Sequence, residues 1–185
     1  MKAITKTFKN KQITIRPLAS GDLKQPEKFR NFINSLVEEK ALISRSKKVS
    51  VRQESIFLEN SFKKQKNKRG AYLIAEDKAQ DMVIGIADIV LSGNGARSHT
   101  GNMGVLVRKN YRGVGLGSCL LKEIIKLSKK ELKPKLKIIR LSVFSANKPA
   151  IKLYRKFGFK KAAKIPGQFE YQGKLLDEIV MLLYL

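Results

Sequence analysis

The stretch from Val107 to Leu121 constrains this chain more than any other. A short apolar run passes through Arg112-Gly113-Val114-Gly115-Leu116-Gly117-Ser118 into residues repeating at helical spacing. Glycines carry no Cβ, so backbone N–H groups can approach an anion closely, and the positive end of the following helix dipole adds to the attraction. After the turn, Leu116, Leu120, Ile124 and Leu127 mark one helical face, widened by Val114, Leu121 and Ile125. That face belongs to a core, which leaves the glycine end turned outward. A nucleotide P-loop requires Lys-Ser or Lys-Thr after its last glycine; here Gly117 is followed by Ser118-Cys119, and that class is excluded. A dinucleotide fingerprint needs G-x-G-x-x-G early in an alternating strand–helix chain, and these singly spaced glycines past the midpoint meet it poorly.

A second block follows downstream. Asn147-Lys148-Pro149-Ala150-Ile151-Lys152-Leu153-Tyr154-Arg155-Lys156-Phe157-Gly158-Phe159 has the form N-x-x-A-x-x-L-Y-x-x-x-G-F, preceded by the strand-like Ser142-Val143-Phe144. Together with R-x-x-G-x-G at Arg112 to Gly117, in this order, the chain resembles the GNAT acyl-CoA N-acyltransferases over roughly residues 70–185. The resemblance implies an α/β fold with a mixed, mostly antiparallel sheet split near its middle and about four flanking helices. It implies acetyl-CoA as acyl donor, its diphosphate on the N–H groups of Arg112, Gly113, Val114, Gly115, Leu116, Gly117 and Ser118. Its pantetheine arm would lie along Val105-Leu106-Val107 as an added strand, with one N–H polarising the thioester carbonyl. Tyr154 stands where the family carries a proton donor to the departing sulfur, and Asn147 where it hydrogen-bonds the CoA arm. Each has a structural reading beside this. Tyr154 is helically spaced with Ile151 and Phe157 as a core aromatic would be, and Asn147 followed by Pro149 suits a helix cap.

The general base is open at this point. Ribosomal-protein N-terminal acetyltransferases carry a glutamate on the strand before the Asn block, at the position of Ser142, and serine cannot do that work. The candidates are Asp88, His99, Glu170 with Tyr171, or a water relay to one of them. Cys119, beside Leu120, reads as a small buried hydrophobe. The last segment, from Gln168 to Leu182, and His99-Thr100-Gly101 resemble the branch containing phosphinothricin-type and amino-acid acetyltransferases. They point to a small amine or amino acid as acceptor, with a protein N-terminus or lysine as the alternative.

Composition narrows the setting. The 185 residues, 43% hydrophobic, suit one domain over residues 1–185 with a full core. No apolar run reaches membrane length, the first residues lack a secretory apolar stretch, and Cys119 is the only cysteine, so a reducing, cytoplasmic setting is expected. One histidine and one cysteine leave no metal-ligand set. The formal charge of +24 is divided evenly: residues 1–70 hold 18 Lys or Arg and 6 acids, residues 71–185 hold 21 and 9. Such charge hastens capture of any anion, from CoA to RNA, without choosing among them, and it repels a polyamine. A non-catalytic nucleic-acid module is therefore the rival class, and it is not favoured, because no recognisable nucleic-acid motif accompanies the charge. A monomer or homodimer is expected.

In order along the chain, residues 11–18 read as a strand ended by Pro17, with Ser20-Gly21-Asp22 offering a cap to a helix over Leu23 to Glu39 interrupted near Pro26. A second helix over 50–68 is expected to bury Val51, Ile56, Phe57 and Phe62. Strands follow at 71–76, 82–91 and His99 to Arg108. A helix is expected over 113–131, a strand over 136–144, a helix over 147–157 and a hairpin over 159–184.

Overall fold

The computed structural model describes residues 1–185. Eight strands form one sheet: β1 (Ile4–Phe8), β2 (Lys11–Pro17), β3 (Gly70–Asp77), β4 (Met82–Leu91), β5 (Thr100–Val107), β6 (Ile138–Phe144), β7 (Lys160–Tyr171) and β8 (Lys174–Tyr184), in the order β1-β2-β3-β4-β5-β6-β8-β7. Every neighbouring pair is antiparallel except β5 with β6. That one parallel pairing covers only Thr100–Asn102 against Ile138–Arg140. Beyond it β6 pairs with β8 along its whole length while β5 stays with β4, so the sheet forks. The split mixed sheet implied by the glycine and asparagine blocks is the sheet observed.

Four helices cover the two faces: α1 (Pro26–Glu38), α2 (Val51–Lys66), α3 (Leu116–Glu131) and α4 (Lys148–Lys156). Strand residues alternate between two apolar clusters, as a pleated sheet requires. The larger, of 26 buried residues, lies under α3 and α4 and includes Leu73, Ala87, Ile89, Leu120 and Ile124; the smaller, of 11, lies under α1 and α2 and includes Phe29, Phe32, Leu36 and Tyr72. No helix is long and apolar enough to cross a membrane.

Several elements differ from expectation for identifiable reasons. Helix α3 begins at Leu116 and not at 113, because Gly113 (φ 74°) and Gly115 (φ 91°) are in the left-handed region. β1 was not expected; it returns through Lys9 and Asn10, both at positive φ (45° and 65°), into β2. The first helix starts at Pro26, its favoured first position, after a 3-10 turn over Ser20–Lys24 in which the Asp22 carboxylate accepts the Ala19 N–H at 2.8 Å. Helix α2 is rotated from the apolar reading. Its inward residues are Glu54, Leu58 and Ser61, while Ile56 and Phe57 are 50% and 46% exposed. The Ser50–Gln53 capping box fixes where the helix starts, and Glu54 and Ser61 are buried, so polar groups take inward positions that periodicity assigned to Ile56 and Phe57.

The joint between β2, β3 and the turn before α1 is ionic. Arg16 donates to both Asp22 oxygens at 2.7 and 2.6 Å and to both Glu76 oxygens at 2.9 and 2.6 Å. Removing the guanidinium leaves two carboxylates close together without a counter-charge. Arg16→Ala is expected to cost about 2–3 kcal/mol, read as a lower urea midpoint with unchanged slope.

Candidate active site

The half of the site at the start of α3 is made of backbone. Gly115 caps α3 without any side-chain bond, and the first in-helix bond is Cys119 N–H to the Gly115 carbonyl at 3.0 Å. The N–H groups of the first turn, through Ser118, are therefore left at the helix end. A Cβ added at Gly113 or Gly115 would meet nothing within 4 Å, so the space above the turn is open. At Gly117 it would lie 3.5 Å from Leu153 and 4.0 Å from Val107, which form the floor beside α4. The approach to the turn is pinned by Tyr111, whose buried hydroxyl donates to Asp77 at 2.6 Å; burial and that carboxylate push its phenol up to about 12.

From the turn the open edge of β5 leads into the fork. Arg108 N–H bonds the Ile84 carbonyl at 2.9 Å, so the amides of Leu106 and Gly104, two and four residues back, also face β4. Those of Val105 and Val107 point into the opening. This corrects the expectation that all three of Val105-Leu106-Val107 present free main-chain groups: Leu106 is committed to β4. The Val107 carbonyl is also engaged, accepting from Arg112 Nε at 2.7 Å, while the far end of that guanidinium is paired with Glu39, the residue that ends α1. The Arg112 side chain thus braces the turn rather than pointing above it. Val114 and Leu116 turn their side chains toward the larger core, with Leu116 fully buried.

Around the fork, side chains divide between the faces. Tyr154 of α4 lies in the larger core, its ring 5.8 Å from that of Phe159, and burial pushes its phenol up to about 12. Asn147 caps α4, its Oδ1 accepting the Ala150 N–H at 3.3 Å. On the other face Asp88, between Ala87 and Ile89 in β4, pairs across to Tyr72 and Gly104. A Cβ at Gly104 would stand 2.9 Å from Asp88 Oδ1, so the missing side chain is what leaves room for this carboxylate beside the fork. Burial pushes Asp88 up to about 7, against a smaller opposing pull from Lys64.

The same face holds a carboxylate the sequence reading passed over. Ser142 donates its hydroxyl to Glu178, buried on the adjacent strand β8, so an acid stands one strand away from the expected position. Phe144 stacks on Phe169 with centroids 4.1 Å apart and meets Tyr171 edge-on at 5.7 Å. Tyr171 in turn donates to the Lys40 carbonyl, closing the β7–β8 tip against the loop after α1. A pocket of about 180 Å³ lies there, lined in part by Val37, Arg45 and Tyr171.

Two expected bases are not brought to this place. The His99 carbonyl accepts from Lys137 and Ile138 N–H groups at the closed end of β5, five residues from Gly104, or about 16 Å at strand spacing. Glu170 is exposed and, alternating with Phe169 and Tyr171, points away from Phe144. Cys119 is half-buried against the larger core. Asp177 is used structurally, accepting the Gly167 N–H at 3.1 Å and pairing with Lys164 at 2.7 Å, contacts that hold its carboxyl below the usual range.

The acetyltransferase (GNAT) family matches residues 36–159, two thirds of the chain, and the chain belongs to that family. YwnH of Bacillus subtilis, provisionally named a phosphinothricin acetyltransferase, is 32% identical over 106 residues, 56% of this chain and 62% of that protein. The L-amino acid N-acetyltransferase AaaT of Escherichia coli is 35% identical over 77 residues, 42% of this chain and 46% of that protein. The chain thus spans about half to three fifths of the length of these relatives. Among solved structures, a ribosomal-protein-alanine N-acetyltransferase from Brucella melitensis superposes with a TM-score of 0.76 at 24% identity, covering 92% of this chain and 99% of that one. A phosphinothricin acetyltransferase from Sinorhizobium meliloti in complex with acetyl-CoA gives 0.76 at 20%, covering 94% and 88%.

The left-handed conformation at Gly115 makes it a sensitive probe of the turn. Gly115→Ala is expected to cost about 1–2 kcal/mol in a thermal or urea melt and to weaken acetyl-CoA binding measured by calorimetry.

Proposed function

We propose that this chain is an acetyl-CoA-dependent N-acetyltransferase acting on a primary amine, with a small amine or amino acid as acceptor, by direct attack in a ternary complex. One observation carries the reading: an unpaired strand edge leads from the amide-rich start of α3 to a carboxyl group held near neutrality. Bound acetyl-CoA supplies an acetyl group already activated as a thioester. The main-chain N–H groups of the turn from Arg112 to Ser118 suit its diphosphate, and the Val105 and Val107 edge suits its pantetheine amides, as an added strand would pair. Asn147, whose Oδ1 is spent on the cap, keeps its NH2 as a donor to the same arm. An N–H on the β5 edge would polarise the thioester carbonyl.

Proton traffic is divided between the faces. Asp88, titrating near neutrality beside the fork, takes the proton that an incoming ammonium must lose. Tyr154, kept protonated across neutral pH, gives one to the departing sulfur on the opposite face. A small acceptor is supported by the Tyr171–Lys40 contact, which closes the β7–β8 tip against the loop after α1, and by the names of the two relatives above 30% identity.

Asp88→Asn is expected to lower kcat/KM by about 100-fold or more and to abolish a rise in rate centred near pH 7. It should also stabilise the fold at alkaline pH. The folded state holds this proton more tightly than the unfolded chain, so stability falls as pH rises from about 4 to about 7, and melts of both proteins below and above that window check the sign. Tyr154→Phe should lower kcat about tenfold or more while leaving the acetyl-CoA Kd unchanged. An acceptor screen with thiol detection decides the reading as a whole: no CoA release with any amine, together with no thermal stabilisation by acetyl-CoA, overturns it. Faster acetylation of peptide N-termini or lysines than of amino acids would reassign the acceptor alone.

A further inference from the structure

The even division of charge along the sequence conceals an uneven distribution in space. At the closed end of the sheet, opposite the glycine turn, lie the starts of β3, β5, β6 and β7 and the ends of β4 and β8. The segments 66–69, 92–99, 129–137 and 155–161 that meet there hold thirteen Lys or Arg (three, one, five and four) against one acid, Glu131. Part of this has a local explanation, since α2, α3 and α4 all carry cations in the last turn, where the helix dipole favours them. The loop and strand cations have none. No ion pair of the molecule involves any of the thirteen.

These cations are held in place rather than carried on a tail. Lys133 N–H bonds the Lys68 carbonyl at 2.9 Å, Lys137 N–H the His99 carbonyl at 2.8 Å, and Leu185 N–H the Lys137 carbonyl at 2.9 Å, which stitches three segments side by side. Leu132 and Leu136 are buried in the larger core, so Lys133, Lys135 and Lys137 are all presented outward. Beside them Tyr184, paired with Ile138, is 68% exposed, the most exposed aromatic ring in the chain's set of exposed large hydrophobic side chains. A rigid row of cations next to an open aromatic face matches one kind of partner: a flexible polyanion with flat rings.

We propose that this pole binds single-stranded nucleic acid, the lysines contacting phosphates and Tyr184 stacking on a base. The surface lies at the end of the sheet away from the fork, so occupation of one does not require the other to be empty. It is independent of the acetyl-transfer reading, and failure of either leaves the other standing. An anionic membrane is the rival for the charge, but the patch offers one ring and no apolar helix face to insert.

The test is fluorescence anisotropy of the full chain with short labelled oligo(U), oligo(dT) and a duplex of equal length, across a salt series. Both single strands should bind more tightly than the duplex, with log K falling by about 0.7 per phosphate contact for each decade of salt. Lys133→Glu/Lys135→Glu/Lys137→Glu should weaken binding tenfold or more and flatten that slope by about two. Tyr184→Ala should weaken it at least about fivefold and Tyr184→Phe should not. All three variants should keep wild-type melting and acetyl-CoA binding. The proposal is overturned if Lys2→Glu/Lys6→Glu/Lys9→Glu, on and beside the amino-terminal strand, is as damaging as the triple change at this pole. Equal affinity for duplex, no loss in Tyr184→Ala, or preference for phosphatidylserine vesicles over the oligonucleotides would also overturn it.

Discussion

The molecule depends on a shortfall in hydrogen bonding. Strands β5 and β6 share only a three-residue pairing, and from Met103 onward one side of β5 has no strand beside it. Main-chain groups rarely remain unpaired inside a protein, because each costs about as much as a lost hydrogen bond. Here the loss is limited by alternation, since Gly104 and Leu106 still pair with β4, and by Arg112, whose side chain covers the Val107 carbonyl. What stays open is a narrow set of groups at Val105 and Val107, and the neighbouring features are arranged around it. The amide end of α3 lies at its mouth, Tyr154 on one face and Asp88 on the other.

Much of this was legible beforehand because the signals were local. Gly113 and Gly115 announced a turn that only glycine adopts comfortably, and the Leu116–Leu120–Ile124–Leu127 stripe announced the helix behind it. The asparagine block carried its own cap. What could not be read depended on partners distant in sequence. Whether Leu106 or Val105 faces the opening is a matter of register with β4, and whether Glu170 or Glu178 faces the fork is a matter of strand parity across a bulged hairpin. His99 attracted attention for its chemistry alone, and the parallel pairing beside it places it at the wrong end of the strand. Helix α2 misled for a different reason: buried Glu54 and Ser61 put polar groups where apolar ones were expected.

Charge shows the same contrast between chain and fold. Acidic side chains gather near the turn end, as Glu39 on Arg112, Asp77 on Tyr111 and Glu178 on Ser142 illustrate, while the closed end is left cationic. Neither half of the sequence records this, because the strands bring residues from all parts of the chain to each end.

An uncovered strand edge is ordinarily a hazard, since it is a template on which another chain can add itself. In this fold the bare stretch of β5 lies between diverging strands of one sheet, with α3 and α4 packed on one face. Only a chain that enters between β5 and β6 can pair with it, so the fork itself restricts the approach to groups that an outer edge would offer from the side.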